Sequence, residues 1–185
     1  MKKIISYLLV IGLSFACKDD SKNSVENTST EKESLDLSMY KAMNMAPYQI
    51  NKDIYLPNDE SLIGGAIQPR VEHTEDDFVW GLSAGDNFKM RIEDYGDNEA
   101  LELYKENLKR YENMYSYEVL EDSANVFLYK KSLKNKDDKS LDHYSYHIVG
   151  EFEVEGIHYL ISSRKEGYEK PIINTMRATV LKAVQ

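Results

Sequence analysis

The chain has 185 residues, of which 23 are Lys or Arg and 32 are Asp or Glu, so its formal net charge is −9 at pH 7. Nucleic-acid binding and electrostatic docking on anionic lipid both require clustered basic side chains, and an acidic composition argues against these two functions. The chain has one cysteine, which excludes an internal disulfide.

The first residues have the layout of a secretory signal. A positively charged pair, Lys2 and Lys3, precedes the apolar run Ile4–Leu13, and a small residue precedes Cys17. The run is about ten residues long, which is too short to cross ~30 Å of hydrocarbon as a helix, so it does not predict a permanent membrane span. We therefore predict a signal peptide over residues 1–16.

Cys17 occupies the position of a lipid-modified cysteine. The stretch before it resembles the lipobox of bacterial lipoproteins, in which the cysteine becomes the first residue of the mature chain and carries lipid. It departs from that family's usual pattern, because Leu13 lies one position early and Ser14 and Phe15 fill the places of the usual Leu and small residue. The resemblance implies lipid attachment at Cys17 and membrane association through that lipid.

A polar segment follows the cysteine. A Lys and two Asp at positions 18–20 resemble the export signal of Bacteroidota-type surface lipoproteins, which implies an outer-membrane protein at the cell surface rather than on the periplasmic face. The next residues are polar except Val25, and such a segment cannot bury enough apolar surface to offset the entropy of ordering. We predict a disordered tether over residues 17–40 and a single domain over residues 41–185.

The start of the domain has an ambiguous pattern. Leu35, Met39 and Met43 recur at four-residue spacing, which favours a short helix that ends before Pro47. Leu37 and Met45 also fit a strand, and both interpretations stay open.

Two hairpins are indicated by period-two alternation and turn residues. Phe88, Met90 and Ile92 alternate with charged residues after a turn at Gly85. A longer hairpin runs over residues 144–161, with a two-residue turn at Glu155 and Gly156 in which the glycine supplies a positive φ. In this register Phe152 faces Tyr159 on the buried side, and Glu153 lies opposite His158.

Two helices complete the pattern. One follows Asp97, a favoured N-cap, and carries an apolar stripe that includes Leu101, Tyr104 and Leu108. The other begins near Pro171, since proline is favoured in the first helical turn. Strands without regular crossover helices predict an α+β fold: a mostly antiparallel sheet with the mid-chain and C-terminal helices packed on one face.

This order of hairpins, mid-chain helix and terminal helix resembles the Mog1/PsbP/DcrB-like fold, although no motif carries the likeness. Members of that group mainly bind partners or assist assembly, so the resemblance implies a binding function rather than catalysis.

The candidate polar site lies on the face of the long hairpin that the alternation predicts to be exposed. Glu153 and His158 share that face, and His147 and Glu151 extend it. His143 and His147 stand about 13 Å apart on a strand at ~3.3 Å per residue, too far to share a metal ion. We predict no metal, cofactor or catalytic residue here.

Three functions remain open on the sequence. The first is a lipid-anchored, non-catalytic binding or assembly module with an unidentified protein or glycan partner. The second is a hydrolase or carbohydrate-acting enzyme, motivated by the abundance of acids and by the His/Glu face of the hairpin. The third is a protective or inhibitory lipoprotein that covers a basic partner with its acidic surface.

Overall fold

The computed structural model describes residues 35–65, 68–73, 78–134 and 144–185. The predicted signal peptide, Cys17 and nearly all of the predicted tether lie outside the described residues. In chain order the elements are β1 (Tyr40–Asn44), a 3₁₀ turn (Ala46–Tyr48), β2 (Asp53–Pro57), α1 (Glu60–Ile63), β3 (Arg70–Glu72), β4 (Val79–Ala84), β5 (Phe88–Asp94), α2 (Ala100–Lys109), β6 (Tyr115–Asp122), β7 (Val126–Leu133), β8 (Tyr144–Val154), β9 (Ile157–Ser163) and α3 (Lys170–Ala183).

Seven of these strands form one antiparallel sheet in the order β3-β4-β5-β9-β8-β7-β6, and β1 pairs with β2 in a separate two-stranded sheet. Both longer helices pack on the large sheet. The α+β class and the antiparallel pairing are therefore confirmed. None of the described helices is long and apolar enough to cross a membrane.

The predicted hairpins are confirmed in type and register. Strands β4 and β5 join through Gly85, which has a φ of +59°. Strands β8 and β9 join through Glu155 and Gly156, with φ values of +56° and +83°. Both residues of this two-residue turn have positive φ, the backbone that matches the twist of the flanking strands. Phe152 pairs with Tyr159 as predicted.

The two long helices cover opposite faces of the sheet, so the prediction that both pack on one face is wrong. Successive residues of a strand point to opposite faces. A Cβ added to Gly150 would overlap Val180 of α3, whereas the next side chain, Glu151, bonds to the backbone of Leu101 in α2. The helical stripes alone did not distinguish the faces, because each stripe fits any apolar surface.

The segment before the 3₁₀ turn, for which the sequence left a helix and a strand open, forms strand β1. Met43 of β1 pairs with Ile54 of β2, and the Tyr40 hydroxyl donates a 2.8 Å hydrogen bond to the Thr175 carbonyl oxygen of α3. Pairing with β2 satisfies the backbone of this short segment, which is too short to be a stable helix by itself. The four-residue spacing was therefore misleading, and the strand alternative is correct.

The large sheet separates two cores. The larger core lies between the sheet and the layer formed by α3, β1 and β2, and includes Trp80, Phe88, Ile148 and Met176. The smaller one lies under α2. Its fully or nearly fully buried members are Ala100, Leu101, Phe127, Tyr129, Val149 and Leu160. Because α2 is only 10 residues long, its apolar face covers a limited part of the sheet.

Candidate functional site

Three of the four predicted site residues line a surface cavity of about 290 Å³ at the turn end of the β8–β9 hairpin. We call it the hairpin-end cavity. Strand β8 supplies Glu151 and Glu153, and β9 supplies His158. The complete lining consists of Lys52, Asn125, Glu151, Phe152, Glu153, His158, Val184 and Gln185. The sequence therefore identified one wall of a real concavity.

Glu151 is held in place by two hydrogen bonds. One carboxylate oxygen lies 2.6 Å from Nδ1 of His158, and the other accepts a 2.7 Å bond from the backbone N–H of Leu101. The side chain of Glu151 is 13 % exposed, so water screens these bonds little. The pairing partner of His158 is thus Glu151 and not Glu153, its neighbour across the strands.

The bond to Leu101 also explains where α2 begins. We predicted a cap at Asp97, but the N-cap is Glu99, whose side chain makes no capping bond. The first N–H groups of a helix have no partner inside the helix, and a carboxylate near them is stabilised by the helix dipole. Glu151 supplies that carboxylate from the sheet, so one side chain ties α2 to β8 and β9.

His158 has a fixed backbone and one engaged ring nitrogen. The backbone N–H of His158 donates a 2.7 Å hydrogen bond to the Gly96 carbonyl oxygen, and the backbone carbonyl oxygen of His158 accepts one from the backbone N–H of Tyr95. With Nδ1 directed at Glu151, no described residue is hydrogen-bonded to Nε2. A histidine whose Nδ1–H is held by a carboxylate presents Nε2 as a proton acceptor. The pair therefore has the arrangement of an oriented acid–base group.

The remaining charges of the cavity come from Lys52 and Glu153. The Lys52 ammonium lies 5.3 Å from the centroid of the Phe152 ring. Burial lowers the pKa of Lys52, and the like charge of Lys182 lowers it further. The Glu153 side chain is exposed, and neither Lys52 nor Glu153 forms an ion pair within the described part of the chain.

His147, the fourth predicted site residue, lies elsewhere and is buried, with 3 % of its surface exposed. Its ring stacks on Tyr129 at a centroid distance of 4.9 Å, and Nε2 lies 2.8 Å from the hydroxyl of Ser145. Burial, with a smaller effect of Lys131, lowers its pKa to about 4. The face predicted to be exposed is covered here, so His147 belongs to the core and not to the site.

The lining of the hairpin-end cavity includes one imidazole, two carboxylates, one ammonium and two amides, and no hydroxyl or thiol side chain. Such a set can bind charged groups and transfer a proton. The described ranges contain no group of three or more His, Cys, Asp or Glu side chains that could hold a metal ion.

The sequence missed Lys52 and Asn125 as members of the site. Lys52 lies in the connection between β1 and β2, and Asn125 in the turn between β6 and β7. They are far from the hairpin along the chain, and neither stands in a motif. The docking of the two-stranded sheet brings Lys52 to the cavity, and the pairing of β7 with β8 brings Asn125, whose carbonyl oxygen accepts a bond from the backbone N–H of Glu151.

A second surface feature lies along β6 and at the end of the sheet where β6 begins. Of the nine large apolar side chains exposed in the described ranges, six belong to residues 111–144. We call them the β6 patch: Tyr111, Met114, Val119, Leu120, Leu133 and Tyr144. This patch is not predictable from the sequence, because Tyr111 continues the apolar stripe of α2 and Val119 fits a buried strand position.

The β6 patch includes a backbone irregularity at the edge of the sheet. Among the described strands β6 pairs only with β7, and the register shifts between Val119 and Glu121, so Leu120 is an extra residue with no partner opposite on β7. A bulge of this kind bends the strand and redirects its side chains. Val119 and Leu120 are 54 % and 43 % exposed, so two adjacent aliphatic side chains stand in solvent.

Comparison of the chain with protein-family models, curated proteins and solved structures finds no match. The resemblances to bacterial lipoproteins and to the Mog1/PsbP/DcrB-like fold therefore stay predictions.

Proposed function

We propose that this protein is a lipid-anchored binding module of the outer membrane. Cys17 carries the lipid, the residues between Cys17 and β1 serve as the tether, and the folded domain meets a protein partner at the cell surface, with the periplasmic face as the other location. The sequence pattern of residues 1–20 supports the anchor. One lipid chain alone gives only marginal membrane binding, so stable anchoring requires more than one.

The observation that carries the binding function is the β6 patch. Soluble proteins rarely expose contiguous apolar surface, and such surface commonly marks an interaction site. Aromatic and Met side chains are enriched at protein interfaces, and three of the six patch residues are Tyr or Met. The concentration of exposed apolar groups along β6 and at the adjoining end of the sheet favours contact with a protein partner there.

Charge adds little to recognition at this surface. Glu118, Glu121 and Asp122 of β6 form ion pairs within the domain. Their partners are Lys130, Arg177 and Lys105, respectively. Carboxylates that are already paired attract a basic partner weakly, so the contact is expected to be apolar and insensitive to salt. This favours the binding module over an inhibitor that recognises its target by charge.

The test is crosslinking of the full-length lipidated protein in membranes, followed by identification of the captured partner. Leu120→Lys together with Val119→Lys should reduce capture at least tenfold, because two charges are placed in an apolar contact. Phe78→Lys is the matched control, since Phe78 is 71 % exposed and lies outside the β6 patch. Equal capture by both variants would reject the patch as the contact.

The anchor is tested separately. Cys17→Ser should abolish incorporation of a labelled fatty acid and move the protein from the membrane fraction to the soluble fraction. Protease treatment of intact cells then distinguishes surface display, in which the domain is degraded, from the periplasmic face, in which it is protected. Labelling that persists in Cys17→Ser would reject the proposed attachment site.

Hydrolysis is a second candidate function, favoured by the 2.6 Å contact between Glu151 and His158. In such a reaction His158 would accept a proton from water, and the resulting hydroxide would attack the substrate. Removal of a general base typically lowers the rate by about 10²–10⁴-fold. If the protein cleaves any member of a panel of chromogenic glycosides and esters, His158→Ala should show this loss, and unchanged turnover would remove His158 from the mechanism.

A further inference from the structure

We propose that the hairpin-end cavity binds a small zwitterion, a molecule with one ammonium and one carboxylate group, such as a free amino acid or a dipeptide. The site differs from the β6 patch. It depends neither on the lipid anchor nor on proton transfer by His158. The proposal rests on two unpaired charges of opposite sign that line the same cavity.

Lys52 is the positive end. Its ammonium lies over the Phe152 ring at 5.3 Å from the centroid, which holds the group at the cavity wall. The Lys182 ammonium lies over the ring of Tyr55 in β2, and its positive charge repels that of Lys52 and helps to lower the pKa of Lys52. Neither lysine has an ion pair in the part of the chain that the structure describes. A bound carboxylate would relieve the repulsion between them.

Glu153 is the negative end. The other two carboxylates of the hairpin are already engaged, since Glu151 bonds to His158 and Leu101, and Glu155 accepts a 3.0 Å hydrogen bond from the Asn51 side chain. Within the described ranges Glu153 has neither an ion pair nor a side-chain hydrogen bond. A ligand ammonium would meet an available carboxylate here.

The two ends do not neutralise each other. Lys52 reaches the cavity from the α3 face, where it lies over Phe152, and Glu153 follows Phe152 on β8 and points to the opposite face. The pairing of β7 with β8 ends at Gly150, and both charges line the cavity there without forming an ion pair. A ligand that spans this edge of β8 would therefore displace no internal ion pair. The Asn125 amide, which can donate and accept, lines the same cavity. The volume of about 290 Å³ is at the small end of ligand sites, which suits a molecule of amino-acid size.

The mixed charge also sets specificity. A simple anion is attracted by Lys52 but repelled by Glu153, and a simple cation experiences the reverse. Only a ligand with both charges gains at both ends, and discrimination by one attractive and one repulsive element is a general route to specificity. Because the cavity opens to solvent, we expect an affinity of about 1 mM.

The experiment is saturation-transfer difference NMR of the full lipidated protein in detergent, with glycylglycine and L-alanine as probes. Acetate and methylammonium, each with a single charge, are the comparison compounds. We expect saturation of the two zwitterions and a signal at least tenfold weaker for acetate and methylammonium. Equal signals from acetate would overturn the proposal in favour of a simple anion site, and no signal from either zwitterion would reject it.

Variants locate the binding in the cavity. Lys52→Met and Glu153→Gln should each reduce the glycylglycine signal at least tenfold. Lys52→Arg keeps the charge and should retain most of it, which separates loss of charge from loss of packing on Phe152. Lys89→Met is the matched control, because Lys89 is exposed on β5 away from this cavity. Unchanged binding by Lys52→Met would overturn the assignment.

Discussion

The two faces of the large sheet differ in chemistry at adjacent positions of one strand. Gly150 of β8 meets Val180 of α3 and Val184, the residue that caps this helix, with no space for a side chain, and the core on that face is large and almost wholly apolar. Glu151 faces α2 and makes two short polar bonds. We infer that the α3 face supplies most of the stability, whereas the α2 face holds groups capable of chemistry.

Polar groups recur inside the α2 face. Tyr104 and Tyr129 share a hydrogen bond of 2.8 Å between their hydroxyls, and burial raises the pKa of both. His147 stacks on Tyr129 in the same region. Buried polar groups are costly unless they are bonded, and partnered groups fix one arrangement of their neighbours. The α2 face should therefore respond to pH, and the α3 face to changes in volume.

The largest expected effect is on the α3 face. Gly150→Ala should destabilise the fold by about 3 kcal/mol, because the new Cβ overlaps Val180 and a packed core must shift to admit it. Gly81→Ala is the matched control on β4, where a Cβ would lie 3.5 Å from Glu72, an ordinary contact. Urea unfolding should separate the two variants, and equal midpoints would contradict tight packing of α3 on β8.

The second effect is a pH dependence on the α2 face. The pKa of His147 is lowered from 6.5 to about 4 in the folded state, so the unfolded chain binds a proton first as the pH falls. Stability is therefore full above pH ~6.5 and is lost as the pH falls toward 4, by about 2 kcal/mol between pH 7.5 and pH 5. Unfolding measured across this range in wild type and His147→Gln tests it.

His147→Gln should show a shallower pH dependence than the wild type, because the glutamine does not titrate. His158→Gln is the comparison variant, since His158 is partly exposed and outside the core. If His147→Gln and wild type lost stability in parallel from pH 7.5 to pH 5, another group would be responsible.

The smallest effect should come from the link between α2 and the sheet. Glu151→Gln keeps an oxygen for the Leu101 N–H but removes the charge that faces His158, which should cost about 1 kcal/mol. Glu153→Gln alters an exposed neighbour with no partner among the described residues and should change stability by less than about 0.5 kcal/mol. The two unfolding midpoints measure the difference, and equal values would show that the α2 link contributes nothing.

Local chemistry allowed the hairpins to be predicted. The turn at Glu155 and Gly156 requires positive φ at both positions, and a two-residue loop permits only one register for its strands. That register placed Glu153 opposite His158 correctly. The helix that begins with Pro171 in its first turn was likewise predictable, because its stripe and start depend on neighbouring residues.

By itself, the sequence determined the α+β class, the hairpins and the helices, since each depends on residues close together in the chain. It also carries the pattern at Cys17 that predicts the anchor. Only the tertiary structure decided that α2 covers the face at Glu151 and engages this carboxylate, and that Tyr129 and the connection at Gly167 bury His147. It likewise brought Lys52 to the hairpin-end cavity. Strand alternation says which residues share a face but not what covers that face, and this is settled by packing between distant segments.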